Sequence, residues 1–154
     1  MANIDSLKIQ IPSDIDGYIL LQCHHCGEYF KIPSEYFNND MIFHISCRSC
    51  GLSSKSYFAE DVISLVDAKV HNLIKNEISN FSKALERSSK GNIISFKTSG
   101  HIEKEYERPI RITIDNLTKV KLNCCNKYVK IRPLLKMTAH FCPYCGVIHF
   151  DNND

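Results

Sequence analysis

Cys23-His24-His25-Cys26-Gly27 and, with twenty residues between Cys26 and Cys47, Cys47-Arg48-Ser49-Cys50-Gly51 are the stretches whose reading decides the fold. Each Cys-x-x-Cys pair runs directly into glycine, the residue that most readily closes a tight turn and lets backbone N–H groups point at thiolates. Two such knuckles with a β-hairpin between them make a zinc ribbon. Cys23, Cys26, Cys47 and Cys50 can then close a tetrahedron around Zn²⁺, and the metal supplies folding free energy that a core this small lacks. His24, His25 and His44 are left as solvated residues beside the site.

The flanks read as ribbon strands. Tyr18 to Gln22 is an apolar run into the first knuckle, Glu28 to Ile32 returns from it, and Pro33 ends the return. A loop with one helical turn at Ser34 to Phe37 follows; Met41 to Ile45 then enters the second knuckle and Ser56 to Phe58 leaves it. Residues 1–59 thus form an N-terminal arm and a first ribbon.

From Glu60 the period changes. Ile63, Val66, Val70, Leu73, Ile74, Ile78, Phe81 and Leu85 recur at steps of three and four, predicting an amphipathic helix over 60–90 with Gly91 as its cap. Such a helix, about 40 Å long at 1.5 Å per residue, outruns one ribbon and must pack on the other ribbon or on a second copy of itself. Residues 91–109 read as an irregular linker with a strand candidate at Ile93 to Phe96 and a charged stretch from Gly100 to Pro109. Ile110 to Ile114 alternates as a strand does.

Residues 110–154 then repeat the ribbon logic. Val120 to Leu122 leads into Cys124-Cys125, Tyr128 to Ile131 returns, and Pro133 follows as Pro33 did. Met137 to Phe141 enters Cys142-Pro143-Tyr144-Cys145-Gly146, and Val147 to Phe150 leaves it. A second zinc is expected on Cys124, Cys125, Cys142 and Cys145. Adjacent strand residues face opposite ways, so Cys124 and Cys125 reach one metal only if the chain turns there; otherwise His140 or His149 supplies the fourth ligand, or the site stays open.

The net charge of +2 conceals a gradient. Residues 1–62 carry four Lys/Arg against eight Asp/Glu, while residues 108–150 carry eight against one, Asp115. Lys119, Lys121, Lys127, Tyr128, Lys130, Arg132 and Lys136 line the second hairpin, with Tyr128, Lys130 and Arg132 on one strand face. Cations beside an aromatic suit a phosphate backbone with a stacked base, and equally suit a solvated hairpin.

Other classes find less support. There is no run of eighteen apolar residues and no export signal at the start, so a cytoplasmic protein without membrane contact is expected, with thiols held for metal rather than as disulfides. The His-x-Glu of deaminases, a Gly-rich phosphate loop and His-Glu-x-x-His are all missing, and no small-molecule substrate is indicated. A zinc hydrolase would need the second site open; a thiol oxidoreductase ordinarily carries one Cys-x-x-Cys in a βαβ setting.

The pattern Leu20-Leu21-Gln22-Cys23-x-x-Cys26-Gly27-Glu28-x-Phe30, then Cys47-x-x-Cys50-Gly51, a helix, and Cys124-Cys125 followed by Lys130-Ile131-Arg132-Pro133-Leu134-Leu135-Lys136 and Phe141-Cys142-Pro143-Tyr144-Cys145-Gly146 resembles a group of uncharacterised bacterial proteins described as transcription factor IIB-type zinc ribbon-containing. The resemblance runs from about Ile11 to Phe150. It implies two ribbons around a helix and carries over no catalytic residue. The expectation is a small α+β zinc-binding chain of two ribbons, held apart or bridged by one long helix. It is a non-enzymatic adaptor contacting nucleic acid through the basic ribbon, or an assembly module whose helix meets a protein partner or itself.

Overall fold

The computed structural model describes residues 7–36, 44–89, 97, 99–100, 102–111 and 113–150. The strand candidate Ile93 to Phe96, the cap Gly91 and the entering residues Met41 to Phe43 lie outside them. The chain folds as two compact units: Ile11–Glu60 with Arg111–Asp154, and Met1–Gln10 with Asp61–Ile110.

The first unit holds both ribbons. Strands β1 (Tyr18–Gln22) and β2 (Tyr29–Pro33) flank the first knuckle, and short strands β3 (Ile45–Ser46) and β4 (Ser53–Ser54) flank the second. The second half repeats this with β5 (Thr118–Leu122), β6 (Lys127–Ile131), β7 (His140–Phe141) and β8 (Ile148–His149). The prolines occupy related places: Pro33 is the last residue of β2 and precedes a 3₁₀ turn, Ser34–Tyr36, whereas Pro133 opens a four-residue helix, α2 (Pro133–Lys136). A proline's fixed φ suits a first helical position, where its missing N–H costs nothing.

The ribbons are not held apart. β2 pairs with β6 at Lys31 and Lys130, giving one antiparallel sheet in the order β1-β2-β6-β5. Strand alternation puts Ile19, Leu21, Phe30, Ile32, Val120, Leu122, Val129 and Ile131 on one face, and all eight are buried. Burying each such side chain stabilises the fold by roughly 2 kcal/mol, an upper estimate against a compact unfolded chain. Two half-cores, each too small alone, become one.

The knuckles lock across the same join. The Ser46 N–H donates to the Pro143 carbonyl and the Phe141 N–H to the Arg48 carbonyl, both at 2.9 Å. Arg48 is fully buried, and its Nη1 donates to the Phe141 carbonyl at 2.6 Å. Tyr57, rather than extending a strand as the sequence suggests, accepts the Gln22 N–H on its carbonyl, donates its hydroxyl to the Leu52 carbonyl at 2.8 Å and sets its ring edge-on to Phe30. Burial pushes that hydroxyl up to about 12.

The other unit is built on α1 (Glu60–Ser89). It starts with two acids, Glu60 and Asp61, where a helix N-terminus favours negative charge. The charged stretch expected as a linker is anchored to it by Asn72, whose Oδ1 accepts the Glu105 N–H at 2.7 Å. Its Nδ2 donates to the Glu105 carbonyl at 2.9 Å and to Glu107 Oε1 at 3.0 Å. One side-chain amide thus copies the pairing that a neighbouring strand would give. Lys75 and His71 reach the Glu105 carboxylate and hold it below the usual range, and Lys69 lies 3.8 Å from Glu107. Among the described residues of Ile110 to Ile114 no strand forms.

The buried residues of α1 are Val62, Ala68, Asn72 and Ser89. Of the apolar stripe, Val66, Ile74, Ile78, Phe81 and Leu85 are exposed, whereas Ile63, Val70 and Leu73 are half-buried. A 3.6-residue period identifies an apolar face but not what lies against it.

Candidate metal centres and the lysine–tyrosine surface

Both zinc sites assemble as thiolate clusters. Cys23, Cys26, Cys47 and Cys50 form one, Cys124, Cys125, Cys142 and Cys145 the other, with all four sulfurs of each within 4.8 Å of one another. A tetrahedron with Zn–S near 2.3 Å requires sulfurs about 3.8 Å apart. The first cluster shows 3.8 Å for Cys23–Cys50 and 3.5 Å for Cys26–Cys47; the second shows 3.6, 3.5 and 3.4 Å for Cys124–Cys125, Cys125–Cys142 and Cys124–Cys145. Each set fits one zinc ion. Bound there, zinc supplies no reaction by itself; it replaces repulsion among four thiolates by four bonds and so holds two loops together.

The three Cys-x-x-Cys knuckles share one construction. The N–H groups of Gly27, Gly51 and Gly146 donate to the carbonyls of Cys23, Cys47 and Cys142 at 2.8 to 3.0 Å, with each glycine at a φ between 71 and 74°. Ser49 and Tyr144 aim their N–H groups at the sulfurs of Cys47 and Cys142. The vicinal pair solves the same problem in a shorter loop. β1 and β2 are separated by six residues, β5 and β6 by four, so there is no room for two intervening residues. Asn126 instead adopts φ 54°, where asparagine is among the few tolerated side chains, and the turn brings both thiolates onto one side.

The sites differ in surroundings. Cys23 and Cys47 are buried, whereas Cys124 and Cys145 are exposed. His149 places Nε2 3.0 Å from Cys124 Sγ. His140 is buried, its Nδ1 is 3.0 Å from the Thr138 carbonyl, and its ring stacks on His149 at 5.8 Å. His140 therefore positions His149 and does not join the sulfur cluster. His24, His25 and His44 are exposed.

The basic hairpin divides in two. Lys130, expected to face a phosphate, has a side chain only 12% exposed and binds Asp14 at 2.8 Å and Asp16 at 2.5 Å. Arg132 pairs with Glu28 at 3.0 Å. These acids come from the other ribbon, as many as 116 residues away, and no sequence signal marks them as partners. Lys130 also lies 4.7 Å from the ring centre of Tyr18, and Lys119 and Lys127 lie on aromatic rings with no carboxylate partner among the described residues. Lys119 is 4.8 Å from the ring centre of Tyr128 and 5.6 Å from that of Tyr18; Lys127 is 4.5 Å from Tyr36 and 4.7 Å from Tyr144. Tyr36 and Tyr144 also touch one another, at 5.1 Å. Lys121 and Lys136 are exposed.

Between these residues runs a groove of about 310 Å³, lined by Tyr18, Tyr36, Tyr128, Lys119, Lys127 and Asn126, with Asp16 and Glu35 among its acids. Asp16 is already matched by Lys130. Sequence reasoning found Lys119, Lys127 and Tyr128 and missed Tyr18, which starts β1, Tyr36, which ends the 3₁₀ turn, and Tyr144, which lies inside a knuckle.

No protein family, characterised protein or solved structure matches this chain. Among the described residues no helix is long and apolar enough to cross a membrane. The chain is a zinc-binding protein of two ribbons joined along the sequence by one long helix.

Proposed function

We propose that this chain is a non-enzymatic, cytoplasmic adaptor whose paired ribbons bind nucleic acid. The reading includes the resemblance to the bacterial ribbon-containing proteins. The observation that carries it is the placement of Lys119 and Lys127 over tyrosine rings around one groove. A cation packed on an aromatic ring stays charged and can meet a phosphate, and Tyr128, exposed beside Lys119, offers a ring on which a base can stack. Lys130 and Arg132, each matched to a carboxylate of the first ribbon, serve the fold. A closed set of four thiolates at each zinc supports a structural and not a hydrolytic role.

Titration of a fluorescent single-stranded oligonucleotide at several salt concentrations tests this reading. Lys119→Ala with Lys127→Ala lowers the slope of log K against log salt by about 1.4, two phosphates at about 0.7 each. Binding that is absent at low salt, or indifferent to this double change in a variant that keeps both zinc ions, rejects the reading.

A second reading, an assembly module built on α1, is favoured by the apolar face that the helix exposes.

A further inference from the structure

The exposed face of α1 has a chemistry that selects its partner. Val66, half-buried Val70, Ile74, Ile78, Phe81 and Leu85 follow one another at steps of four, four, four, three and four, a spacing slightly longer than 3.6 that lets the stripe wind gradually across one side of the helix. Ile74 and Ile78 are each 50% exposed and Phe81 65%. An apolar strip of this length on one helix is what docking surfaces look like, not what scattered surface residues look like.

The charges within the strip are of one sign. Asp67 stands three residues before Val70, and Glu77 three after Ile74 and four before Phe81, so both lie in the stripe, and both are exposed. The basic residues are elsewhere: Lys69 and Lys75 turn to Glu107 and Glu105, and Lys83 follows Phe81 by two positions, more than half-way round the helix.

That pattern argues against a second copy. A parallel two-fold pair sets Glu77 on Glu77 and Asp67 on Asp67. An antiparallel pair that superposes the stripe on itself has its axis between Ile74 and Ile78, which brings the two Glu77 carboxylates within one helical turn. Both arrangements desolvate like charges at the centre of the seam.

We propose that this face binds an amphipathic helix of a different protein, apolar on one side and flanked by lysine or arginine. The face supplies apolar area along several turns and two carboxylates that steer and register a basic partner. The inference deepens the assembly reading, rests on it, and is independent of nucleic-acid binding.

The test titrates the full zinc-loaded chain with two synthetic helical peptides that share one leucine stripe, one flanked by lysines and the other by glutamates. The lysine peptide is expected to bind at micromolar concentration and the glutamate peptide at least tenfold more weakly. Asp67→Lys with Glu77→Lys, changes at two exposed positions, reverses that order, and Phe81→Asp abolishes binding of either peptide without altering oligonucleotide binding. Three outcomes overturn the proposal: a concentration-dependent dimer that Ile78→Asp dissociates, binding to neutral phosphatidylcholine vesicles through the same face, or equal or absent binding of the two peptides. If the lysine peptide binds and the charge swap leaves its preference unchanged, the assembly reading survives and the charge-selected partner does not.

Discussion

Lys31 and Lys130 stand opposite one another where β2 meets β6, and both ammonium groups reach the same oxygen, Asp14 Oδ2, at 3.3 and 2.8 Å. Two like charges directly across a strand pair repel, and this pair marks the junction of the two ribbons. Asp14 converts the repulsion into a clamp. Its other oxygen accepts the N–H groups of Asp16 and Tyr18, which fixes the carboxylate over the sheet.

Burial opposes the charge on Asp14, but the hydrogen bonds from Lys130, the Tyr18 N–H and Lys31 outweigh it and bring its carboxyl from 3.8 down to about 2. The folded pKa lies below the unfolded one, so the stabilisation is complete above pH 4 and is lost as pH falls from about 4 to about 2. Asp14→Asn is expected to cost about 2 kcal/mol at pH 7, with the difference from the unaltered chain vanishing toward pH 2. Denaturant midpoints of the two chains measure it from pH 7 downward as far as both keep their zinc, which acid also releases by protonating the thiolates. A difference independent of pH would mean that the carboxylate charge is not what holds the junction.

Gly51 and Gly27 share a left-handed backbone and differ in what surrounds them. A Cβ on Gly51 would lie 2.7 Å from the Phe141 ring, whereas one on Gly27 meets nothing within 4 Å. Gly27→Ala is therefore expected to cost only the backbone strain, about 1–2 kcal/mol. Gly51→Ala costs more, and Phe141→Leu in the same chain recovers the excess. Thermal midpoints of the single and double variants decide this; equal losses at the two glycines would refute it.

His149 gives the second site a nitrogen donor 3.0 Å from Cys124 Sγ, a contact with no counterpart at the first site among the described residues. Cys124→Ser is expected to leave a three-sulfur, one-nitrogen site that still binds metal, more weakly than the four-sulfur set. Cys47→Ser removes a buried ligand, and among the described residues no histidine contact to the Cys47 sulfur is found, so the first site is expected to be lost. Cobalt absorption spectra distinguish the outcomes, and adding His149→Ala to Cys124→Ser should eliminate the remaining signal. Retention of that signal would assign the fourth position to another group.

Among the described residues, Asn72 is the side chain that ties the backbone of Glu105 to α1. Asn72→Ala leaves the Glu105 N–H and carbonyl without this partner and is expected to cost about 1–3 kcal/mol, with faster hydrogen exchange at the Glu105 amide. Asn72→Asp is expected to be worse, because it loses the donor and sets a carboxylate against the Glu105 carbonyl and Glu107. An unchanged exchange rate in Asn72→Ala would show that the ion pairs of Lys75 and Lys69 suffice.

The sequence by itself determined what is local. Cysteine spacing fixes the knuckles, because a tetrahedral ion accepts few loop lengths; the trailing glycines fix the turns; Pro33 and Pro133 end matching strands; and the three-and-four rhythm fixes the helix, observed over Glu60–Ser89. Tertiary structure alone decided how these pieces meet. Nothing in Lys130 or Arg132 shows that acids from the other ribbon neutralise them, since Coulomb attraction depends on distance in space and not along the chain. Nor does an apolar stripe reveal whether it is covered. Periodicity is a property of one helix, whereas burial belongs to the helix and its neighbours, and in α1 the neighbouring chain took hold of the polar face through Asn72.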